Sequence, residues 1–340
     1  MENRILGRTG VSVSPLCLGT MMFGPWGNAD ETDSIRIIHR ALDAGINFVD
    51  TADVYSGGES ERIVGKALTG RRDDVVLATK FFMPMDDEPN HRGGSRRWII
   101  RSVEDSLRRL GTDYIDLYQV HRPSQDTDVE ETLSALTDLV RQGKIRYIGS
   151  SSYAASQIVE AQWAARDRRL ERFVTEQPPY SILVRGIESD VLPTALRHGM
   201  GILTYSPLGG GWLSGRWRKD NAATPTSAAR PKARFDMTTE ANQRKLEIVE
   251  NLAQLAEQEG MTLIDLAIAF VINHPAVTTA IIGPRTMEQL ESQLSGADVT
   301  LSADVLDRID ELVAPGVTVN PDDNSYGDTE LIPTARRRNH

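Results

Sequence analysis

The sequence predicts an α/β fold, a (β/α)8 TIM barrel with an N-terminal β-hairpin, a long loop after the seventh strand and a C-terminal tail. Three observations predict it. Eight short apolar runs alternate with helical patterns along the 340 residues, and regular strand-helix alternation is the mark of a parallel sheet. Seven of these units recur at roughly 30 to 40 residues, the length of a βαβ element. Three successive runs end at Asp50, Lys80 and His121, and in a barrel the C-terminal strand ends share one face. A doubly wound open sheet is the alternative; eight units in about 300 residues favour closure.

Residues 1–15 read as a hairpin, with RILG and VSVSP around the Arg8-Thr9-Gly10 turn. Strand runs follow at 16–19, 48–50, 75–80, 115–120, 145–151, 173–177, 202–205 and 279–282. Residues 32–44 put Ile35, Ile38, Ala41 and Leu42 on one helical face, with Gly45 as the stop. The next helix carries Glu59 and Glu61 near its start, where the dipole favours anions. Helical patterns at 97–110, 129–141, 155–168 and 187–197 follow, three of them closed by Gly111, Gly143 and Gly199. The seventh unit is irregular: residues 207–239 hold GGG, three prolines and two tryptophans before periodicity resumes at 242–260. A loop after a barrel strand is where such folds build substrate sites. A helix at 263–273 leads to the last strand, and another at 302–313 has Ser302 as its N-cap. The chain thus reads as one domain over 1–340, with 1–15 as a cap and 315–340 as a tail.

The composition, 40% hydrophobic and 25% charged, is that of an ordinary globular chain with no linker. A formal net charge of -10 opposes a nucleic-acid partner, which calls for a basic stripe. The basic clusters at 96–97, 166–172 and 336–338 read as solvated faces and a tail. No apolar run suits a signal-peptide core or a membrane span. The single cysteine, Cys17, reads as a small buried strand residue, and the expected location is cytoplasmic. The six histidines form no i, i+4 pair and there is no CxxC, so no metal is expected.

Reduction of a carbonyl by hydride transfer leaves negative charge on oxygen, so a site must supply a proton and hold that oxygen. A free tyrosine, with a pKa of about 10, is reluctant at neutral pH. A nearby lysine ammonium favours phenolate, and an aspartate beside the lysine keeps it charged where solvation is poor. Tyr55 is accordingly expected as general acid, Lys80 as its tuning charge, Asp50 as the partner of Lys80, and His121 as the donor that orients the carbonyl. Each alone has a plainer reading, as helix cap, snorkelling cation or packing; their joint placement on one face favours chemistry.

These residues, within GRTGVSVSPLCLGT, NFVDTADVYSGGESERIVGKAL, LATK, LGTDYIDLYQVH, GKIRYIGSSSY, EQPPYS, TYSPLGGGWLSG and IIGPRTMEQLESQL, resemble the aldo-keto reductases over nearly the whole chain, in particular the bacterial and channel-beta-subunit-like branches. The resemblance implies a barrel that binds NADPH without a Rossmann motif; the chain has neither GxGxxG after its first strand nor a GxxxxGK[ST] loop. It implies Asp50, Tyr55, Lys80 and His121 as the catalytic tetrad, Ser151 and Gln177 on the nicotinamide carboxamide, and Tyr205 stacked on the ring. Ser152 stands where the family usually has Asn. Ser206, Leu208, Gly210 and Ser214 match the loop around the pyrophosphate. Gly283, Arg285 and Gln289 match the receptor for the 2′-phosphate and adenine, with Gln293 where Asn is commoner. An arginine with N–H groups at a helix start suits a phosphate, so NADPH is expected over NADH.

Bulky candidates for the substrate wall are Trp26, Phe82 and Trp212, then Met83, Trp98 and Tyr153. The expected partner is a small aldehyde or ketone, and no oligomeric state is implied. Two other readings stand beside this one. A regulatory or oligomeric subunit could hold NADP(H) with slow turnover. A barrel hydrolase could use carboxylates such as Asp50 and Glu176, which must then lie about 5 to 9.5 Å apart.

Overall fold

Alternation of inward and outward side chains along eight parallel strands organises the molecule. In the computed structural model, which describes residues 1–219 and 232–324, a hairpin of β1 (Arg4–Ile5) and β2 (Ser12–Val13) precedes β3 (Leu16–Gly19), β4 (Phe48–Asp50), β5 (Val76–Phe81) and β6 (Ile115–Val120). Next come β7 (Ile145–Ser151), β8 (Thr175–Gln177), β9 (Gly201–Tyr205) and β10 (Thr279–Ile282). β3 to β10 pair in sequence order, and β10 returns to β3 to close the barrel.

The helices are α1 (Glu31–Asp43), α2 (Glu59–Ala67), α3 (Arg96–Leu110), α4 (Val129–Arg141), α5 (Ala155–Arg168), α6 (Val191–His198), α7 (Glu240–Gln258), α8 (Leu263–Ile272), α9 (Met287–Leu294) and α10 (Ala303–Leu312). Six start where a side-chain oxygen accepts the backbone N–H three residues on: Asp30, Ser95, Thr239, Thr262, Thr286 and Ser302. The anticipated 187–197 helix is divided. A 3-10 turn at Gly186–Glu188 comes first, and Asp190 then accepts from the Val191 N–H to begin α6. Strand β8 starts two residues later than its apolar run, although the Val174 N–H still reaches Ile148 O.

With period two, Phe48 and Asp50, Val76, Ala78 and Lys80, Leu117 and Gln119, Gly149 and Ser151, Thr175 and Gln177, and Leu203 and Tyr205 share the inner face. Strands β4, β5, β6 and β9 turn apolar side chains inward early and polar ones at their C-terminal ends. The lower layer, Cys17, Phe48, Ala78, Leu117, Leu203 and Ile281, is sealed from beneath by Leu6 and Val13 of the hairpin. Gly149 is required in this interior, because a Cβ there would collide with Thr175 Oγ1. The opposite strand faces pack against the helices in one continuous core.

Of the anticipated tail, residues 315–324 are described and fold back on the barrel; 325–340 and 220–231 lie outside the described residues. The Arg185 N–H donates to Val317 O and the Val319 N–H to Leu183 O, while Asp323 pairs with Lys245 of α7 at 2.7 Å.

Leu117, with no exposed surface, tests the lower layer. Leu117→Ala should destabilise the protein by about 2–5 kcal/mol, read as a lower urea midpoint at unchanged m-value; a loss below about 1 kcal/mol would mean that the interior is loosely filled.

Candidate functional site

The polar layer at the C-terminal strand ends converges on Lys80. Its ammonium donates to Asp50 Oδ1 at 2.5 Å, Thr51 O at 2.9 Å and Tyr55 OH at 3.2 Å, so all three protons are engaged and the side chain has no exposed surface. The second carboxylate oxygen of Asp50 accepts from Gln119 Nε2 at 3.0 Å and Gln177 Nε2 at 2.9 Å. Strand register makes this geometry possible: Asp50 lies beside Ala78, Lys80 beside Gln119 and Ser151 beside Gln177.

Tyr55 is delivered by the turn after β4. The Thr51 N–H donates to Ala78 O and the Asp53 N–H to Lys80 O, tying the segment to β5. A 3-10 turn, Tyr55–Gly58, follows, with Ser56, Gly57 and Gly58 at φ 51°, 66° and 90°. Gly58 is needed there, because a Cβ would come within 2.7 Å of Arg109 Cδ. His121 follows β6 and stands edge-on to Tyr55, with ring centroids 5.8 Å apart. Its Nδ1 is buried without a hydrogen-bond partner.

Burial opposes the Lys80 charge, but contact with Asp50 and Tyr55 more than offsets it, holding the ammonium above its ordinary value. Burial also dominates at Tyr55 and pushes the phenol up; Lys80 pulls it down, without reversing the balance. The sequence expectation of a lowered value therefore has the correct sign for the pair, and burial outweighs it. Burial, then Lys80 and Arg122, push His121 well below its usual value, so its imidazole is neutral at pH 7.

The structure brings other anticipated residues to the same rim. Ser151 Oγ donates to Gln177 O at 2.9 Å, and Ser152 Oγ lies 3.3 Å from Tyr205 OH. Ser152 and Ser206 have positive φ, 58° and 60°. Leu208 and Gly210 are part-buried, and Ser214 Oγ is turned back onto Gly211 O. Beyond β10, Gly283 is exposed. The Arg285 N–H donates to Gln289 Oε1 at 2.9 Å, and Arg285 O accepts from Asn28 Nδ2, also at 2.9 Å. Gln293 is buried at 5% exposure, so its side chain is far less open than those of the neighbouring helix start.

Of the wall candidates, Trp26 is 40% exposed with its ring 6.3 Å from Tyr55, and Phe82 and Met83 are part-buried. Trp212 is not presented to a pocket. It is fully buried, stacked on Trp217 at 4.0 Å, and donates its indole N–H to Arg234 O. Trp98 and Tyr153 are likewise packed, against His91 and Phe173.

Residues that the sequence reading did not single out complete the site. Gln119 could have been found by counting two positions beyond Leu117 on the inner face. Behind the Tyr55 segment, Asp53 is fully buried; its Oδ2 accepts from Ser102 Oγ at 3.1 Å, and its Oδ1 has no partner among the described residues. Burial and then Glu61 push it up to about 8. Glu61 itself is paired with Arg109 at 2.6 Å and accepts from Thr79. No local sequence pattern identifies that cluster, because its members come from four elements. Among the described residues no group of three or more His, Cys, Asp or Glu is placed to hold a metal ion. No described helix is long and apolar enough to cross a membrane.

The model of the aldo/keto reductase family matches residues 15–314. The chain is 42% identical to the uncharacterised oxidoreductase YrpG of Bacillus subtilis, over 92% of this chain and 96% of that protein. It is 35% identical to a probable voltage-gated potassium channel subunit beta of Arabidopsis thaliana (92% and 97%) and 32% identical to versiconal hemiacetal acetate reductase of Aspergillus parasiticus (93% and 98%).

The coupling of the central ion pair can be measured directly. Lys80→Met, which strands a buried carboxylate, should cost about 3–5 kcal/mol in urea unfolding. Adding Asp50→Asn should recover a large part of that loss; strictly additive losses would show that the two residues are not coupled.

Proposed function

Because the chain belongs to the aldo/keto reductase family, whose members reduce carbonyl groups with a nicotinamide cofactor, we propose that it is an NADPH-dependent reductase of an aldehyde or ketone with Tyr55 as proton donor. The observation that carries this reading is the chain from Asp50 through Lys80 to Tyr55, at 2.5 and 3.2 Å. When bound, NADPH supplies the hydride. Tyr55, kept protonated at neutral pH by burial, gives its proton to the carbonyl oxygen. Lys80 steadies the phenolate that remains, and Asp50 keeps Lys80 charged in a site closed to water. Neutral His121, its ring edge-on to Tyr55, is available to orient the carbonyl. Trp26 offers an apolar wall beside Tyr55.

The surrounding residues suit the cofactor. The amide nitrogen of Gln177 is committed to Asp50 and Gln119, while its carbonyl oxygen has no partner among the described residues. That oxygen and the Ser151 and Ser152 hydroxyls match the donor and acceptor ends of a carboxamide. Tyr205 is part-exposed at the same rim, as stacking requires. Ser206, Leu208, Gly210 and Ser214 form the proposed pyrophosphate loop. Gly283 is open, with nothing within 4 Å of a Cβ position, and precedes Arg285, Gln289 and the start of α9, where a 2′-phosphate can meet backbone N–H groups and a guanidinium. Gln293 then has a supporting role on α9.

A second reading, a nucleotide-holding subunit with slow turnover, is favoured by the likeness to the Arabidopsis protein named as a probable channel subunit beta. Tight NADPH binding with negligible oxidation across a panel of aldehydes and ketones would select it.

Tyr55→Phe should lower kcat for carbonyl reduction by about 10²–10⁴-fold while leaving NADPH affinity, read by fluorescence titration, nearly unchanged. Wild-type reduction should be flat from about pH 6 to 9, since Tyr55 stays protonated and His121 neutral throughout, and the reverse oxidation should rise with pH as phenolate forms. Undiminished turnover in Tyr55→Phe would remove the proposed role. Arg285→Ala should weaken NADPH at least about tenfold more than NADH, the scale of a charge-assisted hydrogen bond; equal losses would show that Arg285 does not read the 2′-phosphate.

A further inference from the structure

Arg122 directly follows His121 at the end of β6 and lies across the rim of the site. Its Nη1 donates to His121 O at 3.0 Å and to Ser152 Oγ at 2.8 Å. Ser152 Oγ is in turn 3.3 Å from Tyr205 OH. The guanidinium is thereby fixed between the ends of β6 and β7, close enough for its charge to act on Tyr55 and His121. Among the described residues its Nε and Nη2 protons have no partner and no carboxylate forms an ion pair with it. Three poorly exposed arginines are neutralised, Arg72 by Asp116, Arg109 by Glu61, and Arg185 by Glu188 and Asp310, while part-buried Arg4 and Arg172 meet backbone carbonyls far from this rim. Glu176, whose carboxyl is pushed up to about 7 by burial, is fully buried and already holds Ser150 Oγ at 2.5 Å and the Tyr153 N–H at 3.1 Å. Arg122 is a part-buried cation whose remaining N–H fork meets no anion among the described residues.

A fork of two roughly parallel N–H donors matches the two oxygens of a carboxylate. We propose that Arg122 determines specificity by receiving the carboxylate of the substrate, so that the physiological substrate class is an aldehyde or ketone carrying a carboxylate away from the reacting carbonyl. A monoanion balances the charge of this guanidinium. A phosphate dianion would exceed the charge of this one guanidinium in a chain already at -10. Trp26, 40% exposed and 6.3 Å from Tyr55, offers the stem of such a molecule an aromatic flank. The carboxylate takes no part in the redox change: carbonyl, NADPH and one proton give alcohol and NADP+, and the acid group leaves as it came.

This inference rests on the reductase reading, and one set of measurements separates the two. The full chain would be assayed with NADPH on 4-formylbenzoate and its neutral methyl ester. Benzoate, with benzamide as control, would be titrated against the NADPH complex by fluorescence. Wild type should favour the acid over the ester in kcat/KM by at least about tenfold, mostly through KM, the scale of a charge-assisted pair. The preference should collapse toward unity in Arg122→Met and return in part in Arg122→Lys, and benzoate binding should weaken in the same order. Absence of acid preference in wild type, or equal losses on acid and ester in Arg122→Met, would overturn the proposal, and the wild-type ratio stands even if a variant folds poorly. Turnover of neither carbonyl with Arg122-dependent benzoate binding would overturn the reductase reading alone; benzoate binding indifferent to Arg122 would overturn this one.

Discussion

An ammonium ion without exposed surface is the constraint around which this molecule is arranged. Lys80 can remain charged inside the barrel because each of its three protons meets an oxygen, from Asp50, Thr51 and Tyr55. Removing a cation from water is costly unless such partners are already in place. They come from the strand before β5 and the turn that follows it. The Asp50 carboxylate needs partners in its turn, and Gln119 and Gln177 bring β6 and β8 into the same arrangement. One buried charge thereby sets requirements on β4 and its turn, β5, β6 and β8.

The barrel meets those requirements by segregation along its axis. Apolar side chains occupy the interior where the strands begin, with the hairpin beneath them, and polar groups occupy it where the strands end. Dielectric and access to solvent therefore change over a few residues of each strand. The phenol of Tyr55 and the imidazole of His121 lie at that boundary and are held in their neutral forms by the same desolvation. Outside the sheet, Glu61, Arg109, Thr79 and Ser102 form a separate polar cluster around the Asp53 carboxyl, supporting from behind the turn that carries Tyr55.

Most of the architecture was legible in the sequence because the strands are short and end at polar residues. Strand β6, β7 and β10 and helices α4 and α5 begin and end where their patterns do. The division of residues 187–197 was less legible, since an Asp190 cap interrupts a face whose apolar spacing continues across it. Asp50, Lys80, Tyr55 and His121 were identifiable by placement and are adjacent in space. What pattern could not supply was the balance of competing effects: Lys80 acts on Tyr55 in the expected direction, yet burial prevails. Aromaticity also proved a poor guide to the pocket wall, because Trp212 is committed to a stack with Trp217 and Phe235. Arg122 carries no motif, and that no carboxylate among the described residues pairs with it follows from placement in space, which spacing along the chain does not encode.

The pairing of Lys80 with Gln119 across β5 and β6 has a consequence for how the chain reaches its fold. In a strand with a two-residue repeat, a slip by one position turns every side chain to the opposite side. A slipped β5 would set Lys80 among the helices and Thr79 inside, leaving Asp50 without its cation. Apolar residues on both faces of a parallel sheet discriminate weakly between such closures; the ammonium and carboxylate discriminate strongly. The buried ion pair thus doubles as an alignment key, rejecting mispaired sheets as the barrel closes.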